Sequence, residues 1–324
     1  MSVSIGTGKV RATIQIQGAM TTALFEAGTD KEFTPSYVAT WEGFPEAPIL
    51  DKLRGDFLCV PFGAAPETAE ELPEGWRNGH NGASPWIHGP SANLRWNVEA
   101  LEADSALLSL DYADDDPVKR VERRVTCVEG AVEFEDSIIM RTDAHLPLGL
   151  HPIFRLPENP GDAHIELGEA DGFWAFPADS GTTVLERGAR FSDLAKAPRA
   201  DGGTIDLTHL PLTEEVDEIV LTAGPKDGRV TLVNDAEGYK ATLEWDRTLL
   251  NNVMFWISNH GRKGAPWGGT NLCLGVEPIT SAFDFGEGVS AATSPLTEAG
   301  YATVIDLKAG QTYTITHRIS AERI

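Results

Sequence analysis

Two residues able to move protons stand at the ends of apolar runs, and each is followed by proline. His151 lies in PLGLHPIFRLP (147–157) and Glu277 in LCLGVEPITSAFDF (272–285). Pro152 biases His151 toward extended backbone, so alternation sets Gly149, His151 and Ile153 on one face of a strand. The same alternation puts Leu272, Leu274 and Val276 on one side and Cys273, Gly275 and Glu277 on the other. Gly149 is expected to leave open space beside the imidazole. A carboxylate ending an apolar strand is desolvated, which raises its pKa toward the range of a general base. A histidine near neutrality can donate a proton. Each residue also has an ordinary reading, as a satisfied core histidine or a solvated, salt-bridged strand-end glutamate. Together they suit a reaction that adds one proton and removes another at neighbouring oxygens.

Two loops supply groups that could hold a polar ligand beside such a pair. The stretch 78–97, NGHNGASPWIHGPSANLRWN, carries His80, His88, Asn93 and Arg95 among small residues; a loop with little to bury and many hydrogen-bonding groups suits binding. In 252–271, a strand with Met254 and Trp256 on one face and Val253, Phe255 and Ile257 on the other runs into a glycine-rich loop bearing Arg262 and Trp267. Two tryptophans around an arginine fit a sugar: its C–H faces stack on indole and its hydroxyls want planar donors and acceptors. Arg54, Arg95 and Arg262 could form a phosphate pocket, since guanidinium forks suit phosphate, or could equally be surface ion-pair formers. Asp284 is near Glu277 in sequence only.

The elements that must position these residues are strands. Period-two alternation runs through 9–17, 106–112, 131–139, 229–233, 241–245 and 313–319. Helical signals are confined to 192–197 (SDLAKA) and 65–74 (APETAEELPE). With 32 glycines and 20 prolines as punctuation, the chain reads as all-β, a sandwich or barrel, and 1–324 reads as one domain without repeat or linker. The 49 acidic against 26 basic residues would repel a phosphate backbone, so neither nucleic acid nor an anionic membrane is an expected partner. Cys59, Cys127 and Cys273 form no C-x-x-C pair, which argues against a zinc knuckle or redox motif and for buried free thiols in a reducing compartment. No signal-like stretch or span of about 20 apolar residues occurs, and a cytoplasmic location is the default expectation.

Taken in order, these segments resemble the aldose 1-epimerase (galactose mutarotase) family. Ile87-His88-Gly89 followed by Arg95-Trp96 is similar to that family's histidine–glycine loop, His151-Pro152-Ile153-Phe154 to its histidine–proline motif, and Gly275-Val276-Glu277-Pro278 to its C-terminal glutamate–proline motif. The resemblance spans roughly residues 50–320; Arg54 and Pro61-Phe62-Gly63 look like its early substrate-side segment. It implies a large twisted β-sandwich, the galactose mutarotase-like supersandwich, with a sugar cleft on one concave sheet. It implies His151 as the acid that protonates the ring oxygen, Glu277 as the base at the anomeric hydroxyl, and His88 as a substrate ligand. Ring opening, rotation about C1–C2 and reclosure then exchange the anomers, with no metal or organic cofactor; a small-molecule sugar is the expected partner of a monomer or homodimer. Two positions depart from the family's pattern: Ala92 stands where its arginine usually lies, with Asn93 or Arg95 as candidate substitutes, and Ile153 replaces an aromatic. Two other readings stay open. One is a sugar-binding module without turnover. The other is a glycosidase or lyase, for which Glu277 and Asp284 would have to face each other about 5–9.5 Å apart.

Overall fold

Glu277 and the strands on either side of His151 belong to a sheet that is covered on both faces. The computed structural model describes residues 1–41 and 43–324. In it, an eight-stranded sheet runs in the order Arg190–Phe191, Gly172–Ala175, Val216–Ala223, Asn252–Asn259, Leu272–Thr280, Leu148–Leu150 and Leu58–Cys59, with Ile153–Arg155 also paired to Leu272–Thr280. Every residue of Asn252–Asn259 and of Val216–Ala223 is buried. One face of this sheet, with Val220, Val253, Phe255, Ile257, Leu274 and Val276, packs into the main core. The opposite face, with Ile219, Leu221, Met254, Trp256 and Cys273, is roofed by Ile49, Leu53, Phe57, Phe62, Phe283 and Phe285 from connecting segments. The alternation expected for 252–257 and 272–277 is therefore the one observed, but both of its faces are covered.

The partner layer is a nine-stranded sheet, ordered His209–Leu210, Ala163–Leu167, Arg229–Asn234, Tyr239–Trp245, Thr312–Arg323, Ala131–Met140, Val118–Val128, Ser105–Asp111 and Asn97–Leu101. It shows the one-sided pattern of a half-wet antiparallel sheet: Val132, Phe134 and Ile138 point into the core while Glu133 and Glu135 face solvent. A three-stranded N-terminal sheet, Ser2–Thr7, Val10–Gln15 and Thr21–Leu24, adds Ile5, Val10, Ala12 and Ile14 to the same core. The molecule is thus the all-β sandwich expected. The two helical signals reduce to single 3-10 turns, Leu194–Lys196 with the Ala195 N–H donating to Asp193 Oδ1, and Ala69–Glu71 closed by a Thr68–Glu71 capping box. The three cysteines are buried and free.

Four ionisable side chains are sealed between the two sheets. Arg123 donates from Nε to Asp136 Oδ1 at 2.7 Å and from Nη2 to Asp136 Oδ2 at 2.9 Å. Its Nη1 lies 3.0 Å from Asp56 Oδ2, and His317 Nε2 lies 3.0 Å from that same oxygen. The His317 ring stacks on Phe134 at 4.3 Å. Arg123, Asp136 and His317 come from adjacent strands of the nine-stranded sheet; Asp56 reaches them from the segment leading into Leu58–Cys59 of the other. Burial alone would raise the Asp56 carboxyl, but the facing His317 and Arg123 charges reverse that and hold it below the usual carboxylate range. An ion pair this dry is costly to break, because each survivor keeps its desolvation penalty. Arg123→Met should lower stability by about 3–5 kcal/mol, read as a lower urea midpoint. The Asp56 contribution in the wild type is present above about pH 4, the unfolded carboxylate's pKa, and is lost as pH falls through its lowered folded value; urea midpoints measured from pH 6 down to 3 should show that decline, and Asp56→Asn should flatten it.

Candidate active site

His151 and Glu277 are cross-strand partners. Gly149 pairs with Ile279 and Ile153 with Gly275. Two residues on from Gly149 and two back from Ile279, the same register sets His151 opposite Glu277. Neither Pro152 nor Pro278 offers an N–H to the ladder, and other contacts hold the gap: the His151 N–H donates to Phe57 O and the Val276 N–H to Pro152 O, both at 2.9 Å. The side chains meet with His151 Nε2 3.5 Å from Glu277 Oε1. Both are buried, and two of their polar atoms, His151 Nδ1 and Glu277 Oε2, have no hydrogen-bond partner among the described residues.

The two glycines flanking this pair act differently. A Cβ on Gly275 would stand 2.7 Å from Glu277 Oε1 and 3.1 Å from Trp256 Cβ, so its absence makes the space in which the carboxylate sits. A Cβ on Gly149 would strike the Phe62 ring at 2.4 Å. The expectation of open space beside the imidazole is corrected there: Phe62 fills it. The imidazole itself stacks on Phe57 at 4.6 Å and meets His88 and Trp256 edge-on at 5.2 and 5.9 Å.

These groups line a cavity of about 240 Å³ together with Arg262, Trp267, Asp284 and an apolar rim that includes Ile49, Leu53 and Ile87. His88 sits in left-handed backbone with φ 58° and exchanges contacts with Gly63: its N–H donates to Gly63 O at 2.7 Å, and the Gly63 N–H donates to its Nδ1 at 3.3 Å. An accepting Nδ1 leaves the proton of the neutral ring on Nε2. Burial, helped by the Arg262 charge, drops the His88 pKa to about 3, so the ring is a neutral donor at ordinary pH. Burial, with the neighbouring Asp284, pushes the Glu277 carboxyl well above its usual range, against the pull of Arg262. Burial pushes His151 well below its own. Asp284 is raised to about 6 by burial, again opposed by Arg262. These environments favour a neutral Glu277–His151 pair, which carries the same number of protons as the carboxylate–imidazolium pair.

Of the proposed ligands, His88, Trp256, Arg262, Trp267 and Asp284 come together at the cavity, and four do not. Arg95 is exposed on the surface, outside the cavity lining. Arg54 is half-buried and donates from Nε to Lys52 O at 2.9 Å. His80 ties its own loop through Nε2 to Pro66 O at 2.9 Å. Asn93 accepts the Ile49 N–H at 3.0 Å and donates to Ile87 O and Gly89 O at 2.6 and 2.8 Å, so it fixes the backbone around His88 instead of reaching a ligand. The short helix Gly89–Asn93, begun by Pro90, is what turns Asn93 inward and Arg95 outward. The three arginines considered for a phosphate pocket are thus not gathered in one place.

Asp217 was not among the residues singled out, although it is central. It is fully buried; its Oδ1 accepts from Trp256 Nε1 at 2.9 Å and from Arg262 Nε at 3.0 Å, and its Oδ2 accepts from Ser258 Oγ at 2.8 Å. Ser258 accepts in turn from Asn271 Nδ2 at 2.6 Å, and Asn271 Oδ1 accepts from Tyr37. This chain sets Arg262 over both indoles, 5.2 Å from the Trp256 centroid and 4.9 Å from that of Trp267. The signal was an acidic residue inside the apolar run VDEIVLTA (216–223), where a charge survives only when paired.

No family model and no curated protein matches the sequence. Solved structures do match along their whole length. A candidate aldose 1-epimerase from Escherichia coli K12 superposes with a TM-score of 0.69 at 16% identity, over 100% of this chain and 99% of that one. A galactose mutarotase-like protein from Lactobacillus casei gives 0.65 at 15%, over 99% and 100%. An aldose epimerase homologue from C. elegans gives 0.62 at 15%, over 100% and 99%. The fold is therefore the galactose mutarotase-like β-sandwich. Asp217→Ala should strand the buried Trp256 and Ser258 donors together with the half-buried Arg262 and lower stability by about 3 kcal/mol or more, with the tryptophan emission of the folded protein shifting to the red as Trp256 loses its partner.

Proposed function

We propose that this protein is an aldose 1-epimerase that interconverts the α and β anomers of an uncharged monosaccharide. The observation that carries the reading is the cross-strand His151–Glu277 pair, 3.5 Å apart at one wall of a cavity of about 240 Å³. That volume lies below the usual range for drug-sized ligands and suits one sugar ring. Mutarotation needs one proton given at the ring oxygen and one taken at the anomeric hydroxyl. A buried pair holding one transferable proton can do both, with Glu277 taking and His151 giving once that proton has moved to the imidazole. Reversal of the two transfers closes the ring after rotation about C1–C2. The neutral Nε2–H of His88 is a donor for a sugar oxygen, and the indoles of Trp256 and Trp267 offer stacking faces.

Charge supports an uncharged sugar. Among the described residues, the one cation lining the cavity is Arg262, and its guanidinium is already paired with Asp217 at 3.0 Å, while Glu277 and Asp284 share the same space. A phosphate dianion would find no free partner there. Polarimetry of freshly dissolved α-D-glucose and α-D-galactose tests the reading. The wild type should speed relaxation for an uncharged aldose and act poorly on glucose 6-phosphate; His151→Ala and Glu277→Gln should each lose about 10²–10⁴-fold in kcat. The pH profile of kcat/KM should be bell-shaped. Its acid limb marks a second proton added to the pair, its alkaline limb the loss of the one it holds, and both apparent values belong to the pair.

One observation favours a second reading. Asp284 lines the cavity with Glu277, and both carboxyls are raised, the ingredients of a glycosidase. Release of p-nitrophenol from aryl glycosides, lost in both Glu277→Gln and Asp284→Asn but kept in His151→Ala, would replace the epimerase reading.

A further inference from the structure

We propose that His164 and His209 form a binding site for a zinc-class divalent cation at the edge of the nine-stranded sheet. The two residues are direct antiparallel partners, His164 on Ala163–Leu167 and His209 on the edge strand His209–Leu210. The Ile165 N–H donates to Thr208 O at 2.8 Å, one residue beyond His164 and one before His209. That places the pair at a non-hydrogen-bonded position, where opposing Cα atoms approach to about 4.5 Å and side chains lie closest. Both rings stand on the solvent face, their centroids 6.0 Å apart.

Each imidazole already has the partner that a metal-bound histidine uses. His164 Nδ1 lies 2.8 Å from Asp235 Oδ2, and His209 Nδ1 lies 3.0 Å from Asp206 Oδ2. Asp206 is itself fixed by the Thr208 N–H and Oγ at 2.8 and 2.6 Å. A carboxylate on one ring nitrogen sets the tautomer and leaves the other nitrogen, Nε2, as the metal ligand. The exposed Glu166, two residues along the same strand, holds Oε1 4.0 Å from His164 Nε2. Among the described residues no three His, Cys, Asp or Glu side chains are already gathered as a metal group, so the site is two oriented imidazoles that a third ligand closes on binding. Zn–N bonds of about 2.0–2.1 Å bring two nitrogens on one tetrahedral ion to about 3.4 Å. Facing rings on a non-hydrogen-bonded pair reach that by side-chain rotation, with Glu166 swinging in third and water completing the shell. Imidazole suits zinc, copper and nickel better than magnesium or calcium. The bound ion would clip the two-residue edge strand to the body of the sheet.

This site is independent of the cavity at His151. Isothermal titration of the full-length protein with zinc chloride at pH 7.5 should show one saturable equivalent. His164→Ala and His209→Ala should each weaken it at least tenfold, Asp235→Asn by about tenfold or more, and His145→Ala should leave it unchanged. Zinc should also raise the melting temperature of the wild type, by mass action on the folded state, and not that of the His164→Ala/His209→Ala double variant. Absence of saturable binding, or binding that the folded double variant retains, would overturn the proposal.

Discussion

The pairing register between Leu148–Arg155 and Leu272–Thr280 is the constraint on which the cavity depends. Side chains alternate faces with period two, so a slip of one residue would send Glu277 into the main core and bring Val276 to the cavity. Several devices hold the register without the missing proline donors. Gly149 is approached by the Phe62 ring and Ile279, and Gly275 by the Glu277 carboxylate and Trp256, closely enough that neither position has room for a Cβ. Backbone bonds from His151 to Phe57 O and from Ile153 to Gly55 O anchor the histidine strand on its other side. The meeting of His151 and Glu277 is thus a property of sheet geometry, set by the strands Leu148–Leu150, Ile153–Arg155 and Leu272–Thr280.

Charge is buried in two ways in this molecule. Between the sheets, Arg123, Asp136, Asp56 and His317 face one another at hydrogen-bonding distance, and the charges offset the burial of Asp56. In the cavity, the His151–Glu277 contact is longer, at 3.5 Å, and no facing cation stands within hydrogen-bonding distance of it among the described residues. There burial wins, and both groups move toward their neutral forms. The first cluster holds its protons in place. The second is desolvated without that compensation and lines a cavity, which marks it as the candidate functional site.

What was legible in the sequence follows from what a strand reveals about itself. Alternation correctly separated Met254 and Trp256 from Val253, Phe255 and Ile257, because period two is local. It could not show that His151 faces Glu277, since pairing between segments more than a hundred residues apart has no local signature. The misplaced ligands fail for the same reason. Arg54, His80 and Asn93 have the right chemistry, but neighbouring backbone carbonyls or amides claim them first. Asp217 was overlooked because it sits in a strand that otherwise reads as core, yet its burial inside that run is what obliges it to organise Trp256, Ser258 and Arg262.

The two charge clusters also meet through one short segment. Asp56 and Phe57 are adjacent, so in extended backbone their side chains leave on opposite sides. Asp56 enters the inter-sheet network, while Phe57 turns the other way and stacks on His151. The main chain of the same segment is held on one edge, where Asp56 exchanges both backbone bonds with Thr21 at 2.9 Å, and on the other, where Phe57 O accepts from His151. A shift of this segment would have to break a buried ion pair, a backbone ladder and an aromatic stack together. The imidazole therefore rests on a surface whose position is set by the far sheet. A fully buried, ion-paired carboxylate thus lies one residue away from the ring on which His151 stacks.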